Sequence, residues 1–168
     1  YKRQTLDINA LSGTGAIEVN DIGAGVADGV TGLTRLGSSG ITLTFDGSTY
    51  LYGGGLTIGG NYTGTGFTTD GDVSIVGNVT TSGPFSIDAG GNDVSISGTI
   101  TGGTATDTLS IVDGTGNGTI TLGGAISNVR SVALTGDTAV KLGGDITTTN
   151  GANNDVTITG PAILTANV

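Results

Sequence analysis

The residues best equipped for chemistry are acidic: Asp and Glu total 14, against 5 Lys and Arg. Two groups, Asp88-Ala-Gly90-Gly91-Asn92-Asp93 and Asp113-Gly114-Thr-Gly116-Asn117-Gly118, look like loops that wrap calcium, a hard cation that collects six to eight oxygens. Their spacing argues against it. No Gly-Gly-x-Gly-x-Asp nonapeptide recurs, and an EF-hand loop begun at Asp113 would put Gly124 where a bidentate Glu belongs. These Asp and Asn residues are expected to close turns, and no metal ligand is assigned.

Polysaccharide-cleaving enzymes place paired carboxylates, often with a basic residue, on one sheet face. Asp70 and Asp72 share a face if their segment is a strand, and Arg130 and Lys141, on different coils, could meet on one side. The Asp pair also precedes Val73, where a turn is expected, and no carboxylate group recurs from one repeat to the next. No catalytic residue is assigned. Gly53-Gly54-Gly55 and Gly64-Thr-Gly66 match no phosphate-binding loop, since neither a helix nor a Lys follows; no cofactor is expected. Glycosylation sequons occur at Asn61, Asn78 and Asn117. Tyr50 and Tyr52 share a strand face and, with Tyr62, offer either a small contact patch for a partner or glycan or ordinary packing.

Composition narrows the field further. There is no Cys and no His, which excludes a disulfide framework, a thiol nucleophile, a Ser–His–Asp triad and His-ligated metal. With a net charge of -9, the chain cannot neutralise a phosphate backbone, so nucleic acid is not an expected partner. Leu, Ile, Val and Phe make up about a quarter of the residues, above the level of roughly 20% below which chains stay disordered. Glu occurs once, as Glu18, and 34 Gly residues break any helical pattern. The apolar remainder is β-branched, the chemistry of strands. No apolar run is long enough for a membrane-spanning helix. The chain starts at Tyr1 rather than Met, and no signal core follows, so a processed protein or a segment cut from a longer one is expected, the segment favoured because the chain ends at Val168 inside its own repeat pattern.

The elements that must position these residues follow from one recurring phrase: apolar, x, apolar, x, Gly. It appears as Leu56-Thr-Ile58-Gly-Gly, Val73-Ser-Ile75-Val-Gly77, Val94-Ser-Ile96-Ser-Gly98, Ile120-Thr-Leu122-Gly-Gly, Val140-Lys-Leu142-Gly-Gly and Val156-Thr-Ile158-Thr-Gly160. The mean step is about 20 residues, with shorter partners Phe85-Ser-Ile87, Leu109-Ser-Ile111 and Val132-Ala-Leu134 between. Alternation predicts strands with one buried face. The Gly is expected to supply a bend with φ > 0. The predicted fold is all-β, a parallel β-helix (β-solenoid) with coils of about 20 residues. The alternative is a β-sandwich, disfavoured because the same Gly phrase repeats and Trp is absent.

The phrases Val73–Thr80, Val94–Thr101, Ile120–Ser127 and Val140–Thr147 resemble the filamentous-haemagglutinin and autotransporter-passenger repeats of large bacterial surface adhesins. The resemblance covers roughly residues 56–168 and is one of repeat style. It implies a right-handed β-helix, secretion to the cell surface and a role in adhesion or matrix building. Residues 1–55 are expected to form irregular N-terminal coils, a cap or an assembly segment, and residues 56–168 the repetitive solenoid, as parts of one continuous domain. The expected function is that of a structural or adhesive extracellular protein, either a rod segment or a self-assembling filament subunit. The alternative is a glycan-binding module or a polysaccharide-degrading enzyme on a β-helix. Expected partners are copies of the chain or neighbouring coils, joined end to end or by strand exchange, and host or matrix glycans.

Overall fold

A computed structural model describes residues 6–8, 16–19, 34–36, 42–45, 50–51, 55–149 and 154–166. Every described element is a strand, and every strand pairing is parallel. Parallel pairing throughout rules out the antiparallel sandwich. The chain winds as a β-solenoid with coils of about 22 residues.

Three faces can be followed along the winding. The first is an eight-stranded sheet running from Leu6–Ile8 through Thr34–Leu36, Leu56–Ile58, Val73–Ile75, Val94–Ile96, Thr119–Leu122 and Ala139–Leu142 to Ala162–Leu164. At about 4.8 Å per strand, those eight passes give a stack of roughly 35 Å. The second face begins at Ala16–Val19 and Thr42–Phe45, and the third at Tyr50–Leu51. Asn61–Thr69 and Val79–Asp88 each run across both faces, bending near Gly64 to Gly66 and at Gly83. In later coils the faces are served by separate strands: Ile100–Gly102 and Thr108–Val112, Ile126–Val129 and Ser131–Thr135, Ile146–Thr148 and Val156–Thr159.

Strand alternation produces the core. On the first face Leu56, Val73, Val94, Ile120 and Val140 form one inward column, and Ile58, Ile75, Ile96, Leu122 and Leu142 a second. Tyr62, Val79, Ile100 and Ile126 line the second face, while Phe67, Ile87, Ile111 and Leu134 line the third. Like therefore sits on like from coil to coil, each full burial worth about 1.5–3 kcal/mol. Tyr62 anchors the aromatic part, with edge contacts to Phe67 and Phe85 at centroid distances of 5.8 and 6.0 Å. Its buried hydroxyl accepts from Gly66 N at 3.2 Å and donates to Gly66 O at 3.4 Å.

Two expectations are corrected by the register. The phrase at Val156 belongs to the third face, where Val156 aligns with Val132 and Ile158 with Leu134. The first-face strand of that coil is Ala162–Leu164, which the Gly phrase does not mark. Counting Val156 as a first-face start shortened the apparent step from Leu56 onward from about 21 to about 20 residues. Gly160, with φ of 106°, bends as expected, but the phrase glycines before it do not. Gly77, Gly98, Gly124 and Gly144 are not among the glycines with positive φ. They are Gly because the coils touch there: a Cβ on Gly98 would lie 2.5 Å from Gly77 O, and one on Gly124 2.6 Å from Gly98 O. At these four positions close approach of stacked backbones, rather than a left-handed bend, selects the residue.

Thr34–Leu36 lies in the first sheet with Arg35 at its centre, aligned with Asp7 on one side and Thr57 on the other. Strands of both sheets thus occur before residue 56, whereas residues 20–33 lie outside the described residues.

Candidate functional site

The carboxylates gather at the corner where the third face turns into the first. Asp70 and Asp72 flank Gly71 in the turn rather than sharing a strand. Asp72 Oδ1 accepts the N–H of Asp93 in the next coil at 3.1 Å, and Asp93 Oδ1 accepts that of Thr119 in the coil after at 2.8 Å. Asp113, fully buried, receives the N–H of Asp137 on both oxygens at 3.1 and 2.9 Å, and Asp137 Oδ2 accepts from Gly116 N at 3.1 Å. Asp88 closes its own turn by accepting from Gly90 N at 3.1 Å. Gly91, with φ of 98°, passes where a Cβ would lie 2.6 Å from Thr115 O, and its N–H bonds Asp113 O. Corner backbone that forms no sheet ladder still needs hydrogen-bond partners, and Asp side chains supply them between coils.

Burial pushes the Asp113 carboxyl up, and the nearby charges of Asp137 and Asp93 push it further; hydrogen bonding from Asp137 N–H opposes both without prevailing. Among the described residues no group of three acidic side chains is arranged to hold a metal ion.

A second buried carboxylate was not singled out by sequence. Asp107, 3% exposed, sits where the chain passes from the second face to the third. The hydroxyls of Thr81 and Thr104 both donate to it in short contacts, and Thr104 N–H donates at 3.3 Å. Burial raises this carboxyl, but the hydrogen bonds from Thr104, Thr81 and Gly83 outweigh burial and leave it below its ordinary value. The backbone of Asp107 also accepts from Arg130 N at 2.7 Å. One coil is thereby tied to those on either side. The sequence signal was thin, a lone Asp after a Thr-rich loop.

At the corner between the first and second faces, Asn61 Oδ1 accepts Asn78 N–H at 2.9 Å and Asn78 Oδ1 accepts Thr99 N–H at 2.9 Å. Two of the three sequon asparagines thus carry coil-to-coil bonds; Asn117 is exposed. Arg130 and Lys141 are not brought together: Arg130 stands between the second and third faces, and Lys141 in mid-strand on the first. Tyr62 is core rather than contact surface, Tyr50 is placed only by its strand, and Tyr52 lies outside the described residues. On the third face, a groove of about 340 Å³ is lined by Arg130, Ser131, Val132, Ala133, Asp155 and Thr157.

The chain matches no protein-family model, no curated protein and no solved structure.

Proposed function

We propose that the chain is a structural or adhesive rod segment that works outside the cell, at the cell surface or in a biofilm matrix, and that its role is non-catalytic. What supports this most is the use made of the carboxylates. Asp72, Asp93, Asp107, Asp113 and Asp137 are engaged with N–H and hydroxyl groups of their own or neighbouring coils. Side chains with catalytic potential are thus committed to stacking. Stability that is local and passed between neighbours suits a spacer, because coils can be added without a new core. Small Thr and Ser residues on the outside and an absence of Cys suit an exposed surface that does not depend on redox state.

Antibody labelling of intact and permeabilised source cells tests the proposal. Label on intact cells that is removed by external protease is expected. Label that appears only after permeabilisation contradicts it.

The groove beside Arg130 supports a second reading, a glycan-binding module. A guanidinium binds carboxylates bidentately, and Ser131, Thr157 and Asp155 offer hydroxyl-directed partners. Arg130→Gln is then expected to lower binding to acidic oligosaccharides at least tenfold on a glycan array. Equal binding by variant and parent removes this reading.

A further inference from the structure

Among the described asparagines, one stands apart in how little holds it. Asn61 and Asn78 each offer Oδ1 to a backbone N–H of the next coil, at 2.9 Å in both cases. Asn92 Nδ2 donates to Ala89 O at 2.8 Å, and Asn128 Nδ2 donates to Gly102 O at 2.7 Å. The Oδ1 of Asn154 is buried. All five precede a residue that carries a Cβ: Tyr62, Val79, Asp93, Val129 and Asp155. Asn117 differs on each count. It is exposed in the bend at residues 115–117, no hydrogen bond among the described residues holds its side chain, and Gly118 follows. The N–H of Gly118 has no acceptor among the described residues. Stacking explains the glycine: a Cβ on Gly118 would lie 2.6 Å from Asn92 O in the preceding coil and 2.9 Å from Asp113 Cβ. The fold thus selects, behind an exposed Asn, the residue that leaves its own backbone nitrogen least shielded.

We propose that Asn117 is a site of spontaneous deamidation in the folded chain, and that its isoaspartyl product unlatches the corner around it. The Gly118 nitrogen attacks Asn117 Cγ. That bond forms as the Cγ–Nδ2 bond breaks, and the proton of Gly118 N leaves with Nδ2 as ammonia. The resulting succinimide takes up one solvent water. Opening at the Cγ–N bond gives Asp; opening at the backbone C–N bond gives isoaspartate, in which the chain runs through Cβ. The surrounding backbone is clamped on both sides. Gly116 N–H donates to Asp137 Oδ2 at 3.1 Å, Gly118 O accepts from Thr138 N at 3.0 Å, and Thr119 N–H donates to Asp93 Oδ1 at 2.8 Å. Isoaspartate inserts one extra backbone atom between the first clamp and the other two. It also adds a carboxylate to the corner that already holds Asp93, Asp113 and Asp137, where like charges repel. The inference stands apart from the rod proposal, because it holds wherever the chain works.

Asn150, the other Asn followed by Gly, lies outside the described residues, so the test uses the full chain carrying Asn150→Gln. The chain is incubated at pH 8 and 37 °C, once folded and once unfolded in guanidinium chloride, and each Asn is followed by mass spectrometry of peptic digests made in acid. Asn117 in the folded chain is expected to convert within about tenfold of its rate in the unfolded chain, while folded Asn78 and Asn128 convert at least tenfold more slowly than Asn117. A folded Asn117 rate more than tenfold below the unfolded one, or equal rates at the three folded sites, would overturn the proposal. The isoaspartate-rich fraction, separated by anion exchange, is expected to melt below Asn117→Asp, which carries the new charge without the extra backbone atom. Equal melting of the two would remove the unlatching.

Discussion

Asp107 and Asp113 are both buried carboxyls, and their surroundings move them in opposite directions. Asp107 is held below its ordinary value, so it favours the folded state above the unfolded pKa, and this contribution is lost as pH falls through the folded pKa. Asp113 is held above its ordinary value. It favours folding fully below the unfolded pKa, and that contribution disappears as pH rises through the folded pKa. Asp107→Asn is therefore expected to cost about 1–3 kcal/mol at pH 7, with the difference from the parent shrinking toward pH 3. Asp113→Asn keeps one oxygen for Asp137 N–H, so its melting temperature at pH 7 should equal or exceed the parent's, with the difference again shrinking in acid. Thermal melts at the two pH values check both signs; a loss of the same size in both variants would mean that the two sites are not electrostatically distinct.

Strands and corners depend on different features of the sequence. Ile96 lies fully buried between Ile75 and Leu122 in an inward column, so Ile96→Ala should cost about 2–5 kcal/mol by leaving a cavity. Ser95→Ala, at the outward position between, should stay within about 0.5 kcal/mol by denaturant titration. Gly98→Ala should cost about 1–3 kcal/mol through overpacking against Gly77, although its backbone conformation is ordinary. The strands of the first and third faces were legible because alternation survives even in three residues, as in Val94-Ser-Ile96 and Leu109-Ser-Ile111. The reason for the phrase glycines was not, because contact with a coil some 20 residues away leaves no local mark. Nor was the face of Val156: a five-residue phrase carries its own pattern and says nothing about which ladder it joins. The roles of Asp107 and Asp113 were hidden for the same reason, since burial here is conferred by the neighbouring coil.

For the whole molecule, stacking sets both stability and length. Val94–Ile96 and Val73–Ile75, where coils lie on both sides, should exchange their amide hydrogens slowly, and the exposed turn at residues 103–106 fast. Hydrogen-exchange mass spectrometry checks that contrast; equal protection of strands and turn would contradict it. The central claim is that each coil is an interchangeable unit and that the rod's shape is its product. It is tested most directly by duplicating residues 93–118 in tandem, a coil whose ends are in register because Asp93 N–H and Thr119 N–H both bond an Asp of the preceding coil. Small-angle X-ray scattering of the longer chain, at a dilution where it is monomeric, should show an unchanged cross-section and a length increased by about 4.8 Å, with a melting temperature no lower than the parent's. A widened cross-section, or a melting temperature well below the parent's, would contradict the account.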